Sequence, residues 1–202
     1  MSHPLVRAAV RIGAVFMLAF GLASCGVNDV PRQDEQVKAA WSEVLNQYQR
    51  RADLIPNLVA TVKGYAHQEQ AVLTAVIEAR AHATQTQVNL PSDILNNPQA
   101  FHQYEQAQAQ LGNALGRLLV VSERYPDLKS NENFLALQAQ LEGTENRIAV
   151  ARRDYIDAVQ TYNTTLRTIP GRWIAAMLYP DAKVRETFTI SQQAQEAPKV
   201  QF

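Results

Sequence analysis

The sequence has a single cysteine among 202 residues, so the chain cannot form an internal disulfide. It has only 8 glycines, and runs of alternating β-branched residues typical of strands are missing. Gly-x-Ser-x-Gly, phosphate-binding-loop and dinucleotide-binding motifs are also absent. Neither His-Glu-x-x-His nor the Glu-x-x-His pairs of carboxylate-bridged metal bundles occur. We therefore expect no enzyme, no cofactor and no metal site.

Charge of one sign is also lacking, because basic and acidic residues number 19 each. Removal of the first 24 residues would take away Arg7 and Arg11 and leave a net charge of −2. Nucleic-acid binding depends on clustered positive charge that neutralises phosphates. We therefore expect no nucleic-acid partner.

Residues 1–24 have the three zones of a secretory signal peptide. Arg7 and Arg11 form a basic flank, residues 12–21 form an apolar run, and small residues precede Cys25. This run is too short for a transmembrane helix and suits the apolar region of a signal. The alternatives are a signal anchor and a cysteine placed there by chance.

The motif Leu22-Ala23-Ser24-Cys25 matches a lipobox, in which the cysteine becomes the lipidated first residue of the mature protein. Several acyl chains give a stable membrane anchor, whereas one gives only marginal binding. Gly26 stands where an aspartate would signal retention at the inner membrane. We therefore expect Cys25 to hold the protein in membrane lipid, at the periplasmic face of the outer membrane, with the inner membrane as the alternative.

A polar tether over residues 25–33 precedes a sequence dominated by helix-forming residues. Apolar residues at steps of three and four predict a first helix over 34–83, with Asp34 as its cap. Pro56 removes the hydrogen bond to the carbonyl of Ala52, which predicts a kink at 52–56. Polar residues 84–97 predict a loop.

Asn97-Pro98 predicts the start of a second helix that Pro126 ends, and Ser130 or Asn131 is expected to cap a third helix that reaches Ile169. Residues 173–179 predict a short fourth helix. Short loops between long helices favour an all-α, elongated, antiparallel up-and-down bundle over 34–180, followed by a polar tail over 181–202. A parallel coiled-coil oligomer is the less favoured alternative.

Four charged residues fall on the apolar seams of the first and third helices: Arg51, Glu69, Glu145 and Arg152. Buried charges are costly unless they are paired and hydrogen-bonded. We expect this polar seam to be an ion-pair layer that fixes helix register. Two alternatives are a polar binding site inside the bundle and a metal or ligand site that uses Glu69, Glu142 and Glu145.

The segment 172–179 has Trp and Tyr near its edges, so two roles are open for it. It could lie in a membrane interface. The favoured interpretation is that it covers the end of the bundle core.

Six stretches carry a resemblance to a known family: 50–59 (RRADLIPNLV), 62–65 (VKGY), 123–129 (ERYPDLK), 141–148 (LEGTENRI), 162–163 (YN) and 198–202 (PKVQF). With these stretches, the chain resembles the LemA family of envelope proteins over nearly all of its length after Cys25. Two features depart from the family pattern. Ile156 follows Tyr155 where asparagine is usual, and a lipobox replaces the usual N-terminal transmembrane segment.

The resemblance implies a membrane-tethered antiparallel helical bundle whose molecular function is not established. Some family members are linked with membrane proteases or envelope stress, which implies an envelope protein as partner here. The resemblance supplies no catalytic residues. It therefore supports the fold and an interaction or scaffold role, and leaves the molecular activity open.

Overall fold

The computed structural model describes residues 26–66 and 68–188. In chain order, the α-helices are α1 (Asp29–Tyr65), α2 (Gln70–Val88), α3 (Pro98–Ser122), α4 (Pro126–Lys129), α5 (Glu132–Arg167) and α6 (Gly171–Leu178), with a 3₁₀ turn at Ile94–Asn96 before α3. The all-α bundle expected from the sequence is confirmed.

Two asparagines cap the helices whose starts the sequence indicates. Asn97 Oδ1 accepts a hydrogen bond of 3.1 Å from the backbone N–H of Ala100, and Pro98 occupies the first position of α3. Asn131 Oδ1 accepts one of 3.0 Å from the N–H of Phe134 at the start of α5. Both caps satisfy a backbone donor that has no partner within its own helix.

The helix expected over 34–83 is instead two helices, α1 and α2, joined by residues 66–69. Two hydrogen bonds from α2 to α1 show that the chain reverses there. Gln87 Nε2 donates to the carbonyl of Leu45 at 3.4 Å, and Arg80 Nε donates to the carbonyl of Ala52 at 2.8 Å. A connection of four residues is close to one helical turn of 3.6 residues. The spacing of apolar residues therefore continues across the reversal, and periodicity alone does not reveal it.

The bounds differ elsewhere too. α1 begins at Asp29, so Asp34 lies inside the helix instead of capping it. α2 extends through residues 84–88 of the expected loop. With the reversal at 66–69, the long helices α1, α2, α3 and α5 run up, down, up and down, so the bundle has four long helices where three were expected.

Pro56 lies inside α1, which continues past it to Tyr65. The ring leaves the carbonyl of Ala52 without its usual helical donor. This is the carbonyl that accepts the hydrogen bond from Arg80 Nε. A side chain of α2 therefore replaces the donor that proline removes.

Buried residues form two clusters along the bundle. We call the first the aromatic core, and its buried rings are Trp41, Tyr48, Phe101, Tyr104, Tyr155, Tyr162 and Phe188. We call the second the aliphatic core, which is built mainly from Ile55, Leu58, Val62, Leu73, Val76, Leu111, Leu115, Leu118, Leu128 and Leu141. α1, α3 and α5 contribute to both cores, whereas α2 packs in the aliphatic core.

Residues 182–188, which we call the strap, run along the aromatic core without regular secondary structure. They belong to the segment 181–202 that the sequence suggested was a polar tail. The backbone of Arg185 is held by Asn163, with N–H to Oδ1 at 2.8 Å and Nδ2 to the carbonyl at 3.0 Å. Phe188 is buried, and its ring centroid lies 5.1 Å from that of Phe101.

The side chain of Arg185 ties the strap to two more elements. It donates to both Asp34 of α1 and Asn96 of the 3₁₀ turn, the latter at 2.6 Å. Burial raises the pKa of Asp34, but the hydrogen bonds from Lys38 and Arg185 outweigh this effect and hold the pKa below its ordinary value of 3.8.

Replacing Arg80 with methionine is expected to destabilise the full-length protein by about 1–2 kcal/mol, because the carbonyl of Ala52 loses its donor. In a Pro56→Ala background the loss should be smaller, since the new N–H at position 56 can bond the same carbonyl. Urea unfolding of the four proteins in a double-mutant cycle measures this coupling. Equal losses in both backgrounds would contradict it.

Asp34→Asn is expected to lower the free energy of unfolding by about 1 kcal/mol near neutral pH, because the ion pair with Arg185 is lost. A lowered pKa means that the carboxylate stabilises the folded state above its ordinary pKa of 3.8 and loses this effect as pH falls through the lower folded value. The difference between variant and parent should therefore shrink below about pH 4. Glu35→Gln, at a side chain 73% exposed, is the control and should show little effect at any pH.

Candidate functional site

The buried guanidinium of Arg51 lies between the two cores. Arg51 follows Tyr48 by three residues and precedes Ile55 by four, so all three point to the same side of α1. Its side chain is 4% exposed. The sequence pattern placed Arg51 on this seam because its neighbours at helical spacing are apolar.

Both terminal nitrogens of Arg51 bind groups from other helices. Nη1 donates to Glu145 Oε1 of α5 at 3.0 Å. Nη2 donates to Gln108 of α3 twice, to the side-chain Oε1 at 2.7 Å and to the backbone carbonyl at 3.1 Å. The guanidinium carbon also lies 5.0 Å from the centroid of the Tyr48 ring. Arg51 thus joins α1, α3 and α5 through one charged group.

The surroundings of this group are polar but do not resemble a catalytic centre. Burial raises the pKa of Tyr48 and of Tyr104, so both phenols stay neutral across the physiological range. Among the described residues, Arg51 Nε and the hydroxyl of Tyr104 are buried without a hydrogen-bond partner. The arrangement holds a cation in place with a carboxylate, an amide and an aromatic ring.

The other two members of the predicted polar seam have partners of their own. Glu69 directly precedes α2, and its Oε1 accepts hydrogen bonds from Arg124 Nη2 at 2.9 Å and from the Tyr125 hydroxyl at 3.1 Å. Arg152 lies over the ring of Phe188 at 4.2 Å from the centroid, and its Nη2 is 3.9 Å from Glu105 Oε1. The four charges therefore do not form one layer.

The acids of the alternative metal or ligand site are also engaged separately. Glu69 binds Arg124 and Tyr125, Glu145 binds Arg51, and Glu142 accepts a hydrogen bond of 3.1 Å from Gln138. Within residues 26–66 and 68–188, no group of three or more His, Cys, Asp or Glu side chains could hold a metal ion.

Sequence reasoning missed two polar partners. Gln108 stands at an apolar position of the second predicted helix, so a polar residue on a second seam was the available signal for its pairing with Arg51. Arg185 lies in the strap, where apolar periodicity gives no information. The nearest signal was Asn163, which belongs to the family stretch 162–163 and binds the backbone of Arg185.

The expected anchor, Cys25, and the lipobox residues Leu22, Ala23 and Ser24 lie outside the described residues. The first described residue is Gly26, and a Cβ built on it would lie 3.5 Å from Cδ1 of Ile174 in α6. The point at which the chain leaves the lipobox is therefore beside α6. In the part of the chain that the structure describes, no helix combines the length and apolar composition that a membrane span needs.

A surface groove with a volume of about 440 Å³ lies between α2 and α3. Small side chains of α2, namely Ala71, Ala75 and Ala79, line one side. The opposite side carries the polar residues Asn113 and Arg117 of α3. The groove belongs to the aliphatic half of the bundle, because α2 packs there.

Comparison with known proteins gives consistent results. The chain is 28% identical over 157 residues to magnetosome protein MamQ 2 of Paramagnetospirillum magneticum, covering 71% of this chain and 57% of that protein. It is 26% identical over 157 residues to magnetosome protein MamQ of Magnetospirillum gryphiswaldense, with the same coverage.

A third relative is protein LemA of Metamycoplasma hominis, which is 20% identical over 151 residues, covering 75% of this chain and 64% of that protein. The chain thus spans less than two thirds of the length of each of these relatives. The model of the LemA family matches residues 40–202, which takes in α1 from Ala40 onward and every later helix. Because this match extends over most of the sequence, the chain belongs to the LemA family.

Proposed function

We propose that this protein is a lipid-anchored, non-catalytic scaffold of the bacterial cell envelope that binds another envelope protein through its exposed helix faces. Membership of the LemA family supports a role without catalysis, because the family supplies no catalytic residues to carry over. We propose that the protein takes part in a process linked to envelope stress or to a membrane protease. No activity is transferred from the magnetosome relatives.

The single observation that carries this proposal is the way in which Arg51 is used. Its guanidinium is buried, and both terminal nitrogens are bound to α3 and α5. A charge committed to three helices stabilises one register and leaves little capacity to bind a ligand. Glu69 and Arg152 are likewise engaged within the bundle. Recognition therefore belongs to the outer surface.

Two features support the proposed anchor. The lipobox ends at Cys25, and the adjoining residue, Gly26, lies against α6 at one end of the bundle. The folded part would then sit close to the membrane, with its helices extending away from it. We favour the periplasmic face of the outer membrane, because Gly26 replaces the aspartate of inner-membrane retention.

The contribution of Arg51 to folding stability can be measured independently of partner binding. Arg51→Ala is expected to lower the free energy of unfolding by about 3 kcal/mol, because it removes a buried side chain and leaves Gln108 without its donor. Glu145→Gln should cost less than about 1 kcal/mol, since Glu145 is 48% exposed. Chemical denaturation of the detergent-solubilised chain measures both. A negligible loss in Arg51→Ala would remove the structural role.

Photo-crosslinking in cells tests the partner. A photoreactive residue is placed at Asn113 in the α2–α3 groove or at Val150, which is 47% exposed on α5. We expect one dominant envelope-protein adduct from at least one position, and its loss in Cys25→Ser, which removes the anchor. Mass spectrometry of the mature N-terminus should show acyl chains on Cys25.

The folded-state control for this experiment is Glu145→Gln, which keeps an oxygen acceptor for Arg51 and should therefore keep the fold and the adduct. Adducts only between copies of the chain, or scattered products of low yield at every position, would refute the scaffold role. An unmodified Cys25 would refute the anchor independently, whatever the adducts show.

A further inference from the structure

The outward face of α6 exposes large apolar side chains. Trp173 is 64% exposed and Met177 is 81% exposed, and their spacing of four residues puts them on one side of the helix. Ile169, immediately before α6, is 63% exposed. Isolated exposed apolar residues are ordinary, but a group at one end of a molecule marks a contact surface.

The opposite side of α6 packs against the bundle, so the helix is held with Trp173 and Met177 outward. Gly171 and Ala175 are buried on that side. A Cβ at Gly171 would lie 2.2 Å from the carbonyl oxygen of Thr165 in α5, so only glycine permits this close approach. The orientation of the apolar face is therefore fixed by packing against α5.

The segment that carries this face has basic residues and no acid, whereas Asp29 of α1 lies beside Gly26 and Asp181 follows the segment. Residues 158–180 contain no aspartate or glutamate, and they include Arg167 and Arg172, which are both exposed. Exposed apolar residues with tryptophan, accompanied by arginine, are the composition of helices that lie in a membrane interface. Arginine can place its charge among anionic headgroups while its stem lies along the apolar boundary.

The position of Gly26, the first described residue, indicates what covers this face. Gly26 lies against Ile174 of α6, and Cys25 is the next residue toward the N-terminus. Neighbouring Cα atoms are about 3.8 Å apart, so an acylated Cys25 would enter lipid beside α6.

We propose that the face of α6 formed by Trp173 and Met177, with Ile169 exposed immediately before the helix, lies in the headgroup region of the bilayer in which Cys25 is anchored. The proposal rests on the lipid anchoring proposed above. It orients the molecule, with α1 of 37 residues extending about 55 Å away from the membrane at 1.5 Å per residue. The occupant is a lipid surface carrying anionic headgroups.

Tryptophan fluorescence in vesicles tests this contact. The lipidated full-length protein is reconstituted into phosphatidylethanolamine–phosphatidylglycerol vesicles with or without brominated acyl chains. The described residues contain Trp41, which is 6% exposed, and Trp173. Subtracting the emission of Trp173→Phe isolates the signal of Trp173, which brominated lipid should reduce roughly twofold or more.

The matched control moves the tryptophan to the other end of the bundle. Val120 is 70% exposed near the end of α3, in the aliphatic half. In Trp173→Phe with Val120→Trp, the new tryptophan should show no quenching by brominated lipid. Quenching equal to that of Trp173 would overturn the proposed orientation.

The acyl mass on Cys25 is measured in the same sample, which separates the two proposals. Lipidated protein whose Trp173 is not quenched would overturn the α6 contact and leave the anchor intact. Unlipidated protein would overturn the anchor. Emission of Trp173 that shifts to the blue with protein concentration, without quenching by brominated lipid, would assign the face to a second copy of the chain and overturn the lipid contact.

Discussion

The architecture depends on one buried cation. Arg51 sits between an aromatic and an aliphatic core, and removing a cation from water costs several kcal/mol unless its environment compensates. Compensation requires Glu145 and Gln108 to arrive at the same level of the bundle. Apolar surfaces alone tolerate sliding by a helical turn, whereas this set of directional bonds does not. We propose that these polar contacts select the observed register of the bundle.

The register at Arg51 also bears on contacts toward the other end of the bundle. Once Glu145 is opposite Arg51, the antiparallel course of α5 brings Tyr155 beside Trp41, with ring centroids 5.3 Å apart. The same course places Asn163 where it holds the strap and brings the end of α5 to the start of α1. α6 then lies beside Gly26. The relation between Gly26, the first described residue, and α6 is thus consistent with the register at Arg51.

Much of this arrangement was predictable, because helices and their inward faces have a period that the sequence records. The caps at Asn97 and Asn131 and the inward position of Arg51 follow from that logic. The reversal at 66–69 does not, because a four-residue connection preserves the period that would reveal it. The contacts of Arg185 could not be predicted either, since the strap is held by hydrogen bonds to residues distant in sequence and has no helical pattern. Pairings between helices likewise depend on topology, which spacing along one helix does not contain.

The distribution of charge also constrains where function can lie. Each of the four charged residues predicted on the inner seams contacts other residues of the bundle, so these groups contribute to its stability. Two surface features remain as candidate contact sites, the apolar face of α6 and the α2–α3 groove, and they belong to opposite halves of the bundle. With α6 at the bilayer, the groove would face the space beyond the headgroups, because the α2 residues that line it, between 71 and 79, lie in the aliphatic half. A rigid bundle with lipid contacts at one end and a free groove at the other is suited to hold a partner at a fixed height above the membrane.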